Sequence, residues 1–215
     1  NEIFEPFRPF RLLGSQVFGK TLGIVGFGSI GRAVARRAEG FGMRILYNKR
    51  NRIALEEEKK LGVEYSELHA LLSEADFISI HVPLTPSTKH LIGRKELALM
   101  KNSAHLINTS RGQVIDEESL EEVLLSGGIA GAGLDVFENE PYPRSALLKM
   151  DNVVLLPHIG SATLETRTEM ALRATENLLA ALEGKIPPDC LNCNDCVRKG
   201  CRASLVSLPK SFPKT

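Results

Sequence analysis

The chain has 215 residues, room for one large domain or a domain with an appendage, and its 43% hydrophobic content is ordinary for a globular fold. Its 27 Lys and Arg nearly balance its 26 Asp and Glu, which argues against a nucleic-acid or anionic-membrane surface as the main business. No apolar run is long enough to span a bilayer, and all four cysteines (Cys190, Cys193, Cys196, Cys201) crowd near the C-terminus rather than spreading through the chain as a disulfide scaffold would, so a reducing, cytoplasmic setting is expected.

The opening residues, Asn1-Glu2-Ile3-Phe4-Glu5-Pro6, carry no basic segment followed by an apolar stretch and no Met. They are not expected to be a signal peptide, and the chain is expected to begin inside a longer reading frame or after trimming. Residues 21–26 (TLGIVG) read as a strand. Residues 29–41 read as a helix, with Ile30, Val34, Ala38 and Phe41 at helical spacing. A strand follows at 43–47 (MRILY), then a charged helix at 53–61 and a short helix at 66–72 opened by Ser66. Residues 76–82 (DFISIHV) form a strand stopped by Pro83. Beyond it come a helix at 94–100, a strand at 104–108, a helix at 117–125, strands at 129–135 and 153–156, and a long helix at 161–183. Strands that alternate with helices, and that are apolar throughout, indicate a doubly wound parallel sheet covered on both faces, an α/β fold of Rossmann type. Residues 184–215 hold all the cysteines and little periodicity, and read as an irregular tail.

Gly26-Phe27-Gly28-Ser29-Ile30-Gly31 fits G-x-G-x-x-G between a strand and a helix, the context in which that pattern binds a dinucleotide. Gly26 permits the tight turn, Gly28 admits the pyrophosphate, and Gly31 lets helix and strand approach. The amides of Ser29 and Ile30 point at the phosphates from the helix N-terminus. About twenty residues on, where an NAD site places an acid for the ribose hydroxyls, this chain has Asn48-Lys49-Arg50-Asn51-Arg52. An acid would repel a 2′-phosphate, whereas Lys49, Arg50 and Arg52 attract one, so NADPH is expected over NADH. The flanking Arg32, Arg36 and Arg37 read as a solvated helix face.

Three further segments follow strands and reach the carboxyl edge of the sheet, where such folds place ligands: residues 108–112 (NTSRG), 133–141 (GLDVFENEP) and 156–161 (LPHIGS). They supply Arg111, Glu140 and His158. Reduction of a 2-oxo acid needs these types: a cation for the substrate carboxylate and ketone, an acid with a pKa near neutrality for the forming alkoxide, and a carboxylate to orient the imidazole. Glu138 competes with Glu140 for that last task. His81 reads as a satisfied imidazole near the cleft, and His69, His90 and His105 have no partner visible in the sequence.

From residue 19 to residue 192 the chain resembles the D-isomer-specific 2-hydroxyacid dehydrogenase family, through GKTLGIVGFGSIG, HVPLTPSTKHLI, LINTSRGQVIDE, GAGLDVFENEP and LPHIGSAT. The resemblance implies Arg111 as the substrate-binding residue, His158 as proton donor and Glu140, at the family spacing, as its partner. It implies Asp135 near the nicotinamide amide and Val82, Pro83 and Thr109 along the cofactor cleft, with Ser110, Gly160 and Ser161 in the segments that border it. Within the family, Asn48-Lys49-Arg50 looks like the NADPH-using glyoxylate and hydroxypyruvate reductases. An NAD-dependent phosphoglycerate-type dehydrogenase, or a non-catalytic nucleotide-sensing corepressor on the same scaffold, is the alternative. A homodimer and no metal are further expectations.

Two departures stand out. Family members carry about one hundred residues before the equivalent of Gly14, forming much of a substrate lobe. Residues 1–18 then read as an arm from that lobe, 19–183 as the nucleotide-binding domain and 184–215 as a tail whose C-x2-C-x2-C-x4-C spacing matches no metal site cleanly. This chain alone is therefore expected to bind NADPH and to turn over 2-oxo acids poorly.

Overall fold

The structure, a computed structural model, describes residues 14–191. It falls into two compact units, one ending at Gly160 and the other starting at Ser161.

The first unit is a seven-stranded parallel sheet, with the doubly wound topology expected from the sequence. In chain order it contains β1 (Thr21–Val25), α1 (Ser29–Glu39), β2 (Arg44–Asn48), α2 (Leu55–Leu61), β3 (Val63–Tyr65), α3 (Leu68–Glu74), β4 (Phe77–Ile80), α4 (Arg94–Leu97), β5 (His105–Asn108), α5 (Glu117–Leu125), β6 (Gly131–Leu134) and β7 (Val153–Leu155). Single-turn 3-10 helices occupy Gly112–Val114 and Leu147–Lys149. The strand order is β3-β2-β1-β4-β5-β6-β7. β1 pairs with β2 on one side (Val25 opposite Asn48) and with β4 on the other (Val25 opposite Ile80). The chain thus reverses its direction of travel between β1 and β4, and a crevice opens at the carboxyl ends of these two strands.

Side chains alternate across each strand, so neighbouring residues feed different cores. Ile24 and Ile45 join Phe27, Tyr47 and the α1 residues Ala35 and Ala38. Val25 and Leu46 join Leu71 and Leu72 of α3, Ile78 and Ile80 of β4, and Leu120 and Leu124 of α5. Leu71, Leu72, Ile78 and Ile80 are fully buried, each contributing about 1.5–3 kcal/mol of burial.

Several elements differ from the sequence-based expectation. β3 was not anticipated: it has three residues, only Val63 is buried, and its identity comes from pairing with β2. α3 starts at Leu68; the Ser66 hydroxyl does not cap it but donates to the Glu67 carbonyl at 3.2 Å, and the Ser66 carbonyl accepts the Asn48 side chain. Gly62 ends α2 in the left-handed region at φ 61°, and Asp116 caps α5 by accepting the Ser119 amide. In the second unit, α6 (Leu164–Leu182) begins after Thr163, whose hydroxyl accepts the Thr166 amide at 3.1 Å. The Arg173 guanidinium there forms a two-pronged ion pair with Asp189. Residues 1–13 of the expected arm and Cys193, Cys196 and Cys201 of the tail lie outside the described residues. No described helix is long and apolar enough to cross a membrane.

Candidate active site

At the carboxyl end of β1 the three motif glycines meet different surroundings. Gly26 takes φ +98°, and a Cβ there would stand 2.6 Å from the carbonyl carbon of His81 and the amide of Val82. Only glycine admits both that conformation and that approach. A Cβ on Gly31 would lie 2.3 Å from the Gly26 carbonyl, so Gly31 sets how closely α1 comes to the strand. Around Gly28, by contrast, no atom lies within 4 Å of a built Cβ. α1 then begins at Ser29 with no side-chain cap and no acid in its first turn. Its opening amides therefore lack internal acceptors, and the open space over Gly28 fits a pyrophosphate. A cleft of ≈ 420 Å3 runs from here, lined by Ile30, His81, Val82, Pro83, Leu84, Thr109, Ser110 and Arg111. His81 hydrogen-bonds Ser79 at 2.8 Å, and burial pushes its pKa down, consistent with a satisfied imidazole beside the cleft.

The basic loop after β2 divides its tasks. The Asn48 side chain donates to the Ser66 carbonyl at 2.9 Å. Arg52 donates twice to Glu58, at 2.8 and 2.7 Å, and stacks over Tyr65. The buried Tyr47 hydroxyl donates to the same carboxylate at 2.6 Å and accepts the Ile53 amide. Hydrogen bonds from Arg52 hold Glu58 down to about 2, and burial pushes Tyr47 up to about 12. Arg52, grouped in the sequence with the phosphate-binding cations, thus serves first to brace the loop. Lys49 and Arg50 are less tied: among the described residues Arg50 reaches only the Ser87 hydroxyl, at 3.4 Å. Arg32, expected on a solvated face, lies over the Phe27 ring and pairs with Glu57.

On the other side of the cleft, buried Asn108 shapes the turn that presents Arg111. Its side-chain oxygen accepts the Ser110 amide and hydroxyl, and its amide group donates to the Arg111 carbonyl at 3.0 Å. Gly112 follows so close to the next loop that a Cβ would lie 1.9 Å from the Phe137 carbonyl carbon. This contact sets Arg111 beside the segment carrying Glu140. Arg111 and His158, with Gln113, Phe137, Glu138, Asn139, Glu140 and Tyr142, line a cavity of ≈ 450 Å3.

His158 Nδ1 lies 2.8 Å from Glu140 Oε2. A carboxylate only accepts, so Nδ1 carries the proton and Nε2 is left for a ligand. The hydrogen bond from His158, helped by the Phe137 amide and the charge of Arg111, holds the Glu140 carboxyl below the usual carboxylate range. Glu138, the competing acid, pairs with His90 instead. His158 sits at φ +53°, a conformation uncommon outside glycine. What holds it there is Asp135, buried at the end of β6, whose two oxygens accept the amides of Ile159 and Gly160 at 2.7 Å each. Asp135 therefore anchors the histidine loop directly, a task its sequence position did not reveal. Ser161, the last of the expected cofactor residues, opens the second unit.

Comparison with known proteins agrees with this architecture. The model of the D-isomer specific 2-hydroxyacid dehydrogenase NAD-binding domain matches residues 5–160. Glyoxylate reductases of Thermococcus litoralis and Korarchaeum cryptofilum are each 57% identical, over 184 and 186 residues, or 86% of this chain. The chain spans 55% of the length of both relatives. Among solved structures, a protein of Thermus thermophilus superposes with a TM-score of 0.80 at 47% identity, covering 86% of this chain and 58% of its own. A glyoxylate reductase from Paecilomyes thermophila gives 0.74 at 47% identity, with coverages of 80% and 52%.

Proposed function

The chain belongs to the D-isomer specific 2-hydroxyacid dehydrogenase family, and we propose that it is the nucleotide-binding half of an NADPH-linked reductase that converts a small 2-oxo acid, such as glyoxylate or hydroxypyruvate, into a D-2-hydroxy acid. The observation that carries this proposal is the His158–Glu140 hydrogen bond on the wall of the cavity that Arg111 shares. The names of the relatives supply the substrate class.

When bound, the nicotinamide supplies the hydride. The α1 N-terminus and Gly28 would hold the pyrophosphate, Val82, Pro83 and Thr109 would line the rest of the cleft, and Lys49 and Arg50 would take the 2′-phosphate. Arg111 draws the substrate carboxylate and polarises the ketone oxygen. As the carbonyl carbon gains a hydride, its oxygen takes the proton from His158 Nε2. Glu140 keeps the ring oriented and favours its protonated form. Both lobes of a two-lobed dehydrogenase exclude water from such a cleft. This chain then binds cofactor by itself and turns over substrate only with the rest of the relatives' length, as a homodimer.

The test is a fluorescence titration of this chain with NADPH and NADH, with and without Arg50→Ala. Loss of a charge-assisted phosphate contact, about 1.5–3 kcal/mol, weakens NADPH roughly 10- to 100-fold and leaves NADH nearly unchanged. Equal losses for both cofactors would overturn the NADPH assignment.

A further inference from the structure

One buried acid beneath the reacting site has no task in the mechanism above. Glu117 opens α5 and is 2% exposed. Its Oε1 accepts the Glu138 amide at 2.6 Å, while its Oε2 is buried with no hydrogen-bond partner among the described residues. A buried carboxyl with an unpaired oxygen is unfavourable, and an apolar side chain of similar size would avoid that. What its carboxyl does contribute is the bond that it makes to the Glu138 amide.

That bond falls on the centre of the loop that carries Glu140. The Glu138 carbonyl accepts the Gln113 side chain at 2.9 Å, and the Glu138 carboxylate pairs with His90. Main chain and side chain of Glu138 are thus held from three directions, by α5, by the 3-10 turn after Arg111 and by His90. One residue before it, the Phe137 amide donates to Glu140 Oε1 at 3.2 Å, which leaves Oε2 turned to His158 at 2.8 Å. A path of consecutive bonds therefore runs from Glu117 through the 137–140 backbone to the imidazole.

We propose that Glu117 is a positioning residue: by holding the Glu138 amide it fixes the 137–140 turn so that the Glu140 carboxylate meets His158 Nδ1. Its catalytic consequence rests on the reductase function proposed above; the geometric one does not. Burial pushes the Glu117 carboxyl above the usual range, with Glu138 and Glu140 adding to the effect, against the Glu138 amide and Arg144. The accepting oxygen survives protonation, and it survives replacement by glutamine.

The experiment is a carbon-13 NMR titration of the Glu140 carboxyl in this chain, which needs no substrate. In Glu117→Met the turn loosens, and the Glu140 titration moves up toward the ordinary carboxylate range. In Glu117→Gln, which retains the accepting oxygen, it stays where the unaltered chain has it. An unmoved titration in a folded Glu117→Met variant overturns the proposal. So does an equal shift in both variants, which would mark a loss of packing rather than of the bond. Should the Met variant not fold, amide exchange in the unaltered chain decides: the Glu138 amide exchanges about tenfold or more slowly than the amide of Asn139, and equal rates overturn the proposal. In the intact protein Glu117→Met then lowers kcat by about 10²-fold with the KM for NADPH nearly unchanged, and Glu117→Gln restores it. An absence of any glyoxylate turnover in the unaltered intact protein, with the NMR shifts as expected, would count against the reductase function alone.

Discussion

Gly112→Ala is the substitution that strains this molecule most directly. The new Cβ would stand 1.9 Å from the Phe137 carbonyl carbon, 2.1 Å from its oxygen and 2.3 Å from the Glu138 nitrogen. Carbon atoms rest at about 3.5–4.0 Å, so the two loops must part by roughly 1.6–2.1 Å. All three obstacles are backbone, and no rotamer change relieves them. Overpacking of this kind costs about 1–3 kcal/mol; with only backbone to move, the upper figure applies. In a domain of this size each kcal/mol lowers Tm by about 2–4 °C, giving a loss of about 6–12 °C. Gly28→Ala is the matched control, because its Cβ meets nothing within 4 Å and its φ of −87° suits alanine. It leaves Tm within about 1–2 °C but places a methyl where a pyrophosphate approaches. Calorimetry of both variants, with and without NADPH, separates the two. The stabilisation given by NADPH disappears in Gly28→Ala, and the intrinsic loss appears in Gly112→Ala. An unchanged Tm in Gly112→Ala would refute the close packing of the arginine and glutamate loops.

Further outcomes follow from the same contacts. Leu71→Ala, at a fully buried side chain of α3, costs about 2–5 kcal/mol in urea unfolding; a loss under about 1 kcal/mol would contradict its place in the core. Asp135→Ala frees the Ile159 and Gly160 amides, so hydrogen exchange at these two residues quickens by about tenfold or more while the β1 amides stay protected. Glu58 is depressed in the folded chain, from an ordinary 4.5 to about 2. Its contribution to stability is therefore complete above about 4.5 and lost as pH falls through about 2. Glu58→Gln removes that part of the acid dependence, and an unchanged slope of stability against pH across this window would argue against the Arg52–Glu58–Tyr47 brace.

The parts of this molecule that were legible in its sequence are those governed by local chemistry. Gly26, Gly28 and Gly31 announce a strand–turn–helix because each glycine answers a constraint within a few residues of itself. The apolar runs of β1 and β4 betray strands buried on both faces. β3 escaped because three residues with one buried side chain carry no period, and its pairing partner lies in β2. The functional set, with Glu140 as the partner of His158, was nameable as residue types, yet the groups that hold its loops in place were not. Asn108 shapes the Arg111 turn, Asp135 anchors the histidine loop and Glu117 reaches the loop of Glu140 across a sequence separation of 21 residues. Asp135 and Glu117 act through bonds to backbone groups more than twenty residues away, which no motif spacing encodes, while Asn108 acts within its own turn, through a side-chain bond that the residue pattern does not reveal. Arg52 shows the converse: its charge and position matched a phosphate ligand, while the partner that occupies it, Glu58, sits on the following helix.

We propose that His158, aimed by Glu140, delivers the proton that completes reduction of a 2-oxo acid in the intact protein. The most direct test is steady-state oxidation of NADPH by glyoxylate in the intact protein, for the unaltered sequence and for His158→Ala, with the NADPH dissociation constant measured alongside. Loss of a positioned general acid predicts a fall in kcat of about 10²–10⁴-fold with cofactor affinity nearly unchanged. Equal turnover in the two proteins would contradict the assignment of His158 and the mechanism built on it.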